Sequence, residues 1–349
     1  MRLGVLGGGQ LGWMLALEAK RMGMSVFVLE EDTKAPACRV ADRCFKKSEL
    51  EIFKKTCDRI TVEFEYLEED ILDYLEDKLF PDVSVLKLKK SRVMEKEFLS
   101  SRGYPVASFK KCKKHELLKA LEGNLPAIIK TDSYGYDGRG QWKVKTIQDL
   151  KIESIPDVPL IVESLIDFEF EFSILGVRSQ SGLKKTYPAT INYHKDGILL
   201  YNHSIEEDFK EAKEIVLSLL EELNVVGLLS VEFFSKKTPI INELAPRPHN
   251  SAHFTLDGCF CSQFENLLRA IFDLPLGLSE LKLPSGMVNI IGVVPDFRKI
   301  LKLDWAKLYW YGKEPRPLRK LGHVNLVAKD YERLKDYINL TLGAIYESS

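Results

Sequence analysis

Two glutamates that interrupt apolar segments are the first candidates for chemistry in this sequence. Glu232 lies in the segment LSVEF at 229–233, and Glu243 lies in IINEL at 240–244. Isolated glutamates in strands usually face solvent, but two of them in adjacent buried strands, one beside Asn242, favour a metal site. If the two strands pair, both carboxylates meet at one hard cation such as Mg²⁺, which takes few carboxylates and adds phosphate oxygens. We therefore predict that Glu232 and Glu243 bind Mg²⁺.

Two glycine-containing turns are candidates for contacts to phosphate groups. The G-x-G-x-x-G pattern at 7–12 lies between an apolar run and a helical pattern. Glu30 is near the acidic position of the dinucleotide fingerprint, and this context favours a phosphate site over a structural turn. Lys130 ends another apolar segment and precedes a loop with three glycines at 132–140. Its ammonium group can neutralise phosphate under a closing loop, although a hairpin with an exposed lysine explains the pattern equally well.

Two polar loops complete the set of candidate segments. Residues 245–253, APRPHNSAH, directly follow the second glutamate-containing strand, at a strand end where ligands bind. The basic, proline-containing segment 311–323 is either a solvated surface loop or an anion clamp, since the planar fork of arginine suits phosphate. A zinc site built from His249, His253 and the two cysteines at 259–261 is disfavoured, because C-x-C is a poor chelating spacing and no second pair exists.

The composition excludes several classes of protein. A chain of 349 residues with 45% hydrophobic and 29% charged residues indicates a globular protein of two to three domains. Fifty basic and 51 acidic residues give a net charge of −1, so nothing points to nucleic acid or a membrane surface as a partner. No apolar run approaches the ~18 residues that span a bilayer. Six cysteines without a C-x-x-C pair, and no signal peptide, predict reduced thiols and a cytoplasmic protein.

The elements that must position these residues fall into three parts. Residues 1–90 alternate strands and helices around the glycine turn, which predicts a doubly wound α/β domain. Residues 91–280 mix strands and helices as an α+β domain, and residues 281–349 form a small β-rich domain that we expect to pack on it. The predicted helices beyond residue 90 are 91–102, 206–223 and 330–342, and the predicted strands of the middle part are 126–131, 141–144, 160–163, 169–177, 227–234 and 239–244.

Five motifs together resemble the ATP-grasp superfamily and, within it, the N5-carboxyaminoimidazole ribonucleotide synthetase family of purine biosynthesis. The motifs are GGGQLG at 7–12, EFE at 63–65, KT at 130–131 with GYDGRGQ at 135–141, NELAPRPHNS at 242–251, and GK at 312–313 with RKLGH at 319–323. The match covers nearly the whole chain, and the fourth motif is the most discriminating. The resemblance implies an ATP-grasp architecture with an N-terminal doubly wound α/β domain, a central ATP-grasp domain and a small C-terminal domain, and it implies a homodimer.

The resemblance also implies a reaction. ATP, bicarbonate and 5-aminoimidazole ribonucleotide give ADP, phosphate and the N5-carbamate. Bicarbonate attacks the γ-phosphate to form carboxyphosphate, which delivers CO2 to the exocyclic amine of the imidazole. Since carboxyphosphate hydrolyses readily, such a step requires charge neutralisation and exclusion of water, for which a lysine, two carboxylates with Mg²⁺ and a lid loop are suitable parts.

Carried over position by position, the resemblance implies three sets of site residues. Those that resemble contacts to ATP are Arg92, Lys130, Gly138, Glu163, Ser164, Leu165, Glu171, His194, Asn242 and Glu243, with Glu171 as the acid that binds ribose hydroxyls. Those that resemble the bicarbonate site and catalytic groups are Arg247, His249, Asn250 and Lys313. Those that resemble contacts to the imidazole ribonucleotide are Gly9, Gln10, Leu11, Glu65, Asp137, Lys313 and Arg319.

Four positions depart from the family pattern, and none removes a charge that the chemistry needs. Tyr134, Ala252 and Leu318 stand where glycine is common, and Ser164 stands where lysine is frequent.

Three other functions remain as alternatives. A formate-dependent glycinamide ribonucleotide transformylase or a biotin-dependent ligase shares the superfamily, but the Arg247–Asn250 block argues against both. An NAD-dependent dehydrogenase explains the glycine turn and leaves Lys130, Glu232 and Glu243 without a role. A non-catalytic regulator would not need to retain these charged residues.

Overall fold

The amino-terminal part is a parallel five-stranded sheet with helices on its faces. The computed structural model describes residues 1–133 and 140–347. The strand order β3-β2-β1-β4-β5 confirms the doubly wound α/β prediction. Its elements are β1 (Arg2–Leu6), α1 (Gln10–Arg21), β2 (Ser25–Leu29), β3 (Arg43–Phe45), α2 (Leu50–Thr56), β4 (Arg59–Val62), α3 (Glu69–Leu75), β5 (Leu79–Phe80) and α4 (Val83–Lys89).

A small antiparallel sheet follows, with the order β6-β9-β7-β8. Its elements are α5 (Arg92–Ser101), β6 (Phe109–Cys112), α6 (Leu117–Leu121), β7 (Ala127–Thr131), β8 (Gln141–Val144) and β9 (Leu160–Ser164). Ser91 caps α5, and Asp132 accepts hydrogen bonds from the Ser91 hydroxyl (2.8 Å) and the Val93 amide (2.9 Å). This cap fixes the start of α5, and therefore Arg92, beside the end of β7.

A nine-stranded sheet forms the body of the molecule. Its main path runs β15-β14-β10-β12-β13-β16-β18-β17, and β11 pairs with β10. The elements of its first half are β10 (Glu171–Arg178), β11 (Lys184–Thr186), β12 (Thr190–Lys195), β13 (Ile198–Ser204), α7 (Lys210–Glu222), β14 (Gly227–Phe234), β15 (Ile240–Ala245), α8 (Thr255–Gly258) and α9 (Gln263–Ile271). Helix α7 covers one face with Ala212, Val216, Leu219 and Leu220.

The carboxyl-terminal strands continue this sheet. Their elements are β16 (Ser285–Ile291), α10 (Phe297–Leu301), β17 (Ala306–Trp310), β18 (Lys320–Val327) and α11 (Tyr331–Tyr346). Strand β13 pairs with β16, with Asn202 opposite Met287. The strands that carry the predicted metal ligands and the strands that flank the basic loop between β17 and β18 therefore belong to one hydrogen-bonded sheet.

Two sequence-based expectations need correction. Helix α7 begins at Lys210 and not at Glu206, because the Phe209 ring stacks on Phe172 (4.4 Å between centroids) and holds the preceding chain out of the helix. Cys38 and Cys44 are joined by a disulfide, contrary to the prediction of six reduced thiols, because the turn between them brings their Cα atoms within 5.3 Å. The other four cysteines are free and buried.

The described part of the chain contains no helix with the length and apolar character needed to cross a membrane.

Candidate active site

One large cavity of about 1260 Å³ lies between the small sheet, the nine-stranded sheet and the amino-terminal domain. It gathers nearly all the residues that the sequence analysis singled out, although they come from all three parts of the chain. The predicted site residues that line it are Gln10, Leu11, Glu65, Arg92, Lys130, Glu163, Ser164, Leu165, Glu171, His194, Glu232, Asn242, Glu243, Arg247, His249, Asn250, Lys313 and Arg319. Gly9 does not line the cavity, and Asp137 and Gly138 fall outside the described residues.

The glycine turn at 7–12, predicted to be a phosphate site, makes hydrogen bonds within the protein, and its contact to phosphate stays a prediction. Glu63 accepts hydrogen bonds from the Gly9 and Gly12 amides, both at 2.7 Å, and Glu30 accepts one from the Gly8 amide at 2.9 Å. The protein's own carboxylates therefore occupy the N–H groups that a dinucleotide phosphate would use. Burial raises the pKa of Glu63, while these amide hydrogen bonds favour its charged form.

Lys130 and Glu163 form a buried ion pair on the small sheet. The register places Lys130 opposite Ile161 and Ile128 opposite Glu163, so the two side chains lie diagonally on one face. The Lys130 Nζ to Glu163 Oε2 distance is 3.0 Å. Although burial opposes the charged form, the Lys130 ammonium holds the pKa of Glu163 below its usual value. The pair presents a positive group to the cavity while the negative charge is neutralised behind it.

The two predicted metal ligands lie directly opposite each other. Strands β14 and β15 pair with Glu232 opposite Glu243, and Ser173 of β10 lies opposite Glu232 on the other side. Burial, together with the charge of Glu243, raises the pKa of Glu232 to about 8. Burial also opposes the charge of Glu243, but the ammonium of Lys89 holds its pKa low. Two close carboxylates have unequal pKa values because the charge of one disfavours ionisation of the other.

The chemistry of this pair fits Mg²⁺. Both groups supply hard oxygen ligands at the cavity wall. Within residues 1–133 and 140–347, no cluster of three or more His, Cys, Asp or Glu side chains has the geometry of a complete metal site. A cation held here would therefore take its remaining ligands from phosphate oxygens or water, as Mg²⁺ does at nucleotide sites.

Glu171 and His194 form a second polar pair on neighbouring strands. The His194 Nδ1 to Glu171 Oε2 distance is 3.3 Å. Because strand side chains alternate, Glu171 lies on the same face as Ser173 and therefore on the face of Glu232. Burial raises the pKa of Glu171 to about 7.

Replacing Glu171 with glutamine is expected to stabilise the ATP-free protein at pH 8. The pKa of Glu171 is about 4.5 in the unfolded chain and about 7 in the folded protein. The free energy of unfolding of the wild type therefore falls as the pH rises from 4.5 to 7, and the whole loss is present above pH 7. Allowing for partial exposure and for His194, the gain is about 1–3 kcal/mol at pH 8 and close to zero at pH 5. Melting curves of both proteins at the two pH values measure it. Equal melting temperatures at pH 8 would contradict it.

The loop of residues 246–251 is held from two sides, and it is called the bicarbonate loop from here on because the resemblance assigns bicarbonate to it. Arg247 Nε lies 2.9 Å from Glu65 Oε1, so the buried guanidinium is paired with the EFE motif of the amino-terminal domain. His249 Nε2 lies 3.7 Å from Glu232 Oε1, and its Nδ1 lies 2.8 Å from the Ser251 hydroxyl. Asn250 exchanges hydrogen bonds with Asn289 of β16 (3.1 and 2.8 Å). The loop therefore places a guanidinium group and two polar groups on the wall of the cavity that Glu232 and Glu243 also line.

The loop of residues 312–319 also lines the cavity, and it is called the ribonucleotide loop from here on because the resemblance assigns the ribonucleotide to it. Lys313 contacts the Gln10 side chain, and the Gly312 carbonyl accepts a hydrogen bond from Arg39 at 2.7 Å. Arg319 donates to the Glu314 carbonyl at 3.1 Å. Leu318 has φ of +62°, a left-handed conformation, which explains why glycine is common there in the family pattern.

Three buried groups near the cavity were missed by sequence reasoning. Lys96 donates to the carbonyls of Ile241 (3.1 Å) and Asn242 (2.9 Å) and lies 3.9 Å from Glu163 Oε2. Lys89 is paired with Glu95. The sequence held one indication of Lys96. It follows Arg92 by four residues, and two basic groups at that spacing share one face of a helix.

Three family models match the chain. They are a ribonucleotide synthetase preATP-grasp domain over residues 1–90, an ATP-grasp domain over 97–264, and a phosphoribosylaminoimidazole carboxylase C-terminal domain over 285–337. The N5-carboxyaminoimidazole ribonucleotide synthase of Aquifex aeolicus is 47% identical over 347 residues, which cover 97% of this chain and 95% of that protein. The chain belongs to the N5-carboxyaminoimidazole ribonucleotide synthase family.

Solved structures agree with this membership. The N5-carboxyaminoimidazole ribonucleotide synthetase of Thermus thermophilus aligns with a TM-score of 0.92 at 34% identity, over 99% of both chains. The enzyme of Aspergillus clavatus, solved with ADP and 5-aminoimidazole ribonucleotide, aligns with a TM-score of 0.91 at 27% identity, over 99% of both chains. The resemblance and the ATP-grasp architecture expected from the motifs are confirmed, and they set the dehydrogenase alternative aside.

Proposed function

We propose that this protein is an ATP-dependent ligase that carboxylates 5-aminoimidazole ribonucleotide with bicarbonate. The products are N5-carboxyaminoimidazole ribonucleotide, ADP and phosphate, and the reaction belongs to purine biosynthesis. The observation that carries the proposal is that a single cavity joins Lys130, the Glu232–Glu243 pair, the bicarbonate loop and the ribonucleotide loop.

The nucleotide end of the cavity is suited to ATP. Lys130 offers a positive charge to phosphate oxygens, with Arg92 on the same wall. Residues 163–165 at the end of β9 face the region proposed for adenine, and Glu171 accepts from the ribose hydroxyls. Mg²⁺ bound at Glu232 and Glu243 would neutralise the charge of the transferring phosphoryl group.

The bicarbonate loop is suited to hold the small anion next to the γ-phosphate. Arg247 supplies charge for bicarbonate while Glu65 fixes its position, and His249 and Asn250 add polar contacts. Bicarbonate oxygen attacks the γ-phosphorus, the bond to ADP breaks, and carboxyphosphate forms. Exclusion of water from this intermediate is what the proposed step requires of the cavity.

The ribonucleotide loop is suited to present the acceptor amine. Lys313, Arg319 and Gln10 would bind the phosphate and ribose of 5-aminoimidazole ribonucleotide, with the contribution of Asp137 as a further prediction. CO2 released from carboxyphosphate is then captured by the exocyclic amine, and the amine proton leaves with phosphate.

Release of ADP tests this function directly. The purified protein is expected to hydrolyse ATP slowly alone, and much faster when Mg²⁺, bicarbonate and 5-aminoimidazole ribonucleotide are all present. Omission of each component in turn is the control. Equal ADP release with glycinamide ribonucleotide and formate would favour the transformylase alternative and contradict the proposal.

We also propose that the enzyme is a cytoplasmic homodimer. The family resemblance and the prevalence of two-fold dimers support the oligomeric state, and the use of ATP and a purine precursor supports the compartment. Light scattering at micromolar concentration measures the mass, which a monomer would place at 39.9 kDa.

A further inference from the structure

We propose that four buried side chains, Gln263, His253, His323 and Tyr311, form a positioning network that fixes the bicarbonate loop relative to the ribonucleotide loop. The inference rests on the proposed function, because the two loops take their roles from it. None of the four side chains lines the cavity. Each is at most 2% exposed.

Gln263 holds the bicarbonate end of the network. Its Oε1 accepts a hydrogen bond from the His249 amide at 2.8 Å, and its Nε2 donates to the His249 carbonyl at 3.0 Å. These two backbone contacts fix the orientation of the amide group. The same Nε2 lies 3.1 Å from His253 Nδ1, which must therefore accept, so the ring proton of His253 is on Nε2.

Tyr311 holds the ribonucleotide end. It directly precedes Gly312 and Lys313, and its amide donates to the Leu321 carbonyl at 2.9 Å. Its hydroxyl lies 2.7 Å from His323 Nδ1. Because Tyr311 is anchored through both backbone and side chain, the path of the ribonucleotide loop begins from a fixed point.

The two histidines join these ends across the core. Their ring centroids are 4.8 Å apart, and His323 is also stacked on Tyr309 at 4.5 Å with parallel planes. Asn325 of β18 donates to the His253 carbonyl at 2.9 Å. This hydrogen bond connects the segment before α8 to strand β18. A continuous series of hydrogen bonds and ring contacts therefore connects His249 with the residues that precede Lys313.

The network has the features of a positioning device and not of a charge relay. Burial lowers the pKa of His323 to about 3 and lowers that of His253 as well, so both rings are neutral at physiological pH. The Nε2 atom of each has no protein partner within the described residues. Apolar residues would suit a purely structural core better, because an unsatisfied buried polar atom is costly. These buried polar side chains contribute by fixing the positions of the two loops.

Steady-state kinetics of Tyr311→Phe, Gln263→Leu and the double variant test the proposal. Each substitution removes contacts at one end only. If the network connects the two loops, each single variant raises KM for both bicarbonate and the ribonucleotide by about three- to tenfold. This is the factor expected for the loss of one hydrogen bond. The double variant is expected to show less than the product of the two effects, and KM for ATP should stay within about twofold.

Tyr104→Phe is the matched control, because the Tyr104 hydroxyl bonds to Ser218 (2.7 Å) and Glu222 (2.9 Å) on α7, away from both loops. It should leave all three KM values unchanged. If Gln263→Leu does not fold, Gln263→Met, which keeps the length of the side chain and removes both polar groups, serves the same comparison.

Two outcomes would overturn the network. One is that each variant changes KM only for the substrate of its own loop, and the other is that the effects simply multiply in the double variant. Failure of the proposed function looks different, because the wild-type protein would then release ADP without need of bicarbonate or 5-aminoimidazole ribonucleotide. That result would remove the network's role together with the function.

Discussion

Glu243→Gln is expected to lower kcat by about 10³-fold or more while the secondary structure is retained. Glu243 is the member of the carboxylate pair whose pKa is held low, and so it carries the negative charge of the site at neutral pH. A neutral amide in its place weakens the cation that stabilises the transferring phosphoryl group, a contribution of several kcal/mol. ADP release across a Mg²⁺ titration measures the loss.

Glu207→Gln is the matched control, because Glu207 is exposed in the loop before α7. It should retain the wild-type kcat and the same Mg²⁺ dependence. Wild-type activity of Glu243→Gln at low Mg²⁺ would show that Glu243 is not a metal ligand.

Arg319→Ala is expected to weaken binding of 5-aminoimidazole ribonucleotide by about one to two orders of magnitude. The guanidinium can bind a phosphate through two parallel, charge-assisted hydrogen bonds, which together contribute roughly 1.5–3 kcal/mol at this partly exposed side chain. ATP affinity should barely change, because Lys130, Glu171 and the carboxylate pair are untouched. Calorimetric titration of both ligands into each protein measures the two affinities separately.

Two further variants define the cause of this loss. Arg319→Lys should restore only part of the affinity, since an ammonium group lacks the fork. Arg298→Ala removes an exposed arginine on α10 and should change neither affinity. If Arg319→Ala lowers ATP affinity as much as ribonucleotide affinity, the loop belongs to the nucleotide site or has only a structural role.

The strands that carry the predicted metal ligands followed directly from local pattern. The apolar run at 227–234 is observed with the predicted bounds, and the next strand is shifted by one residue. Pairing of consecutive strands joined by a short turn is the commonest arrangement. The opposed positions of Glu232 and Glu243 could therefore be anticipated from two short segments.

Contacts between residues distant in sequence could not be anticipated in this way. Glu63 lies 54 residues from Gly9 in the sequence, yet its carboxylate accepts the hydrogen bond of the Gly9 amide. The local sequence of the turn does not show whether its amides donate to a bound phosphate or to a carboxylate of the protein itself. Lys96 likewise contacts carbonyls about 145 residues away, and only the fold shows that its ammonium group is buried.

The continuity of the nine-stranded sheet fixes distances across the proposed active site. The carboxylate pair lies in this sheet, and strands β17 and β18 of the same sheet flank the ribonucleotide loop, whereas Lys130 and Glu163 belong to the separate small sheet. In the proposed reaction, the distance that an activated carboxylate covers to reach the amine is therefore set by β-sheet hydrogen bonds. The position of the small sheet relative to the nine-stranded sheet does not enter that distance.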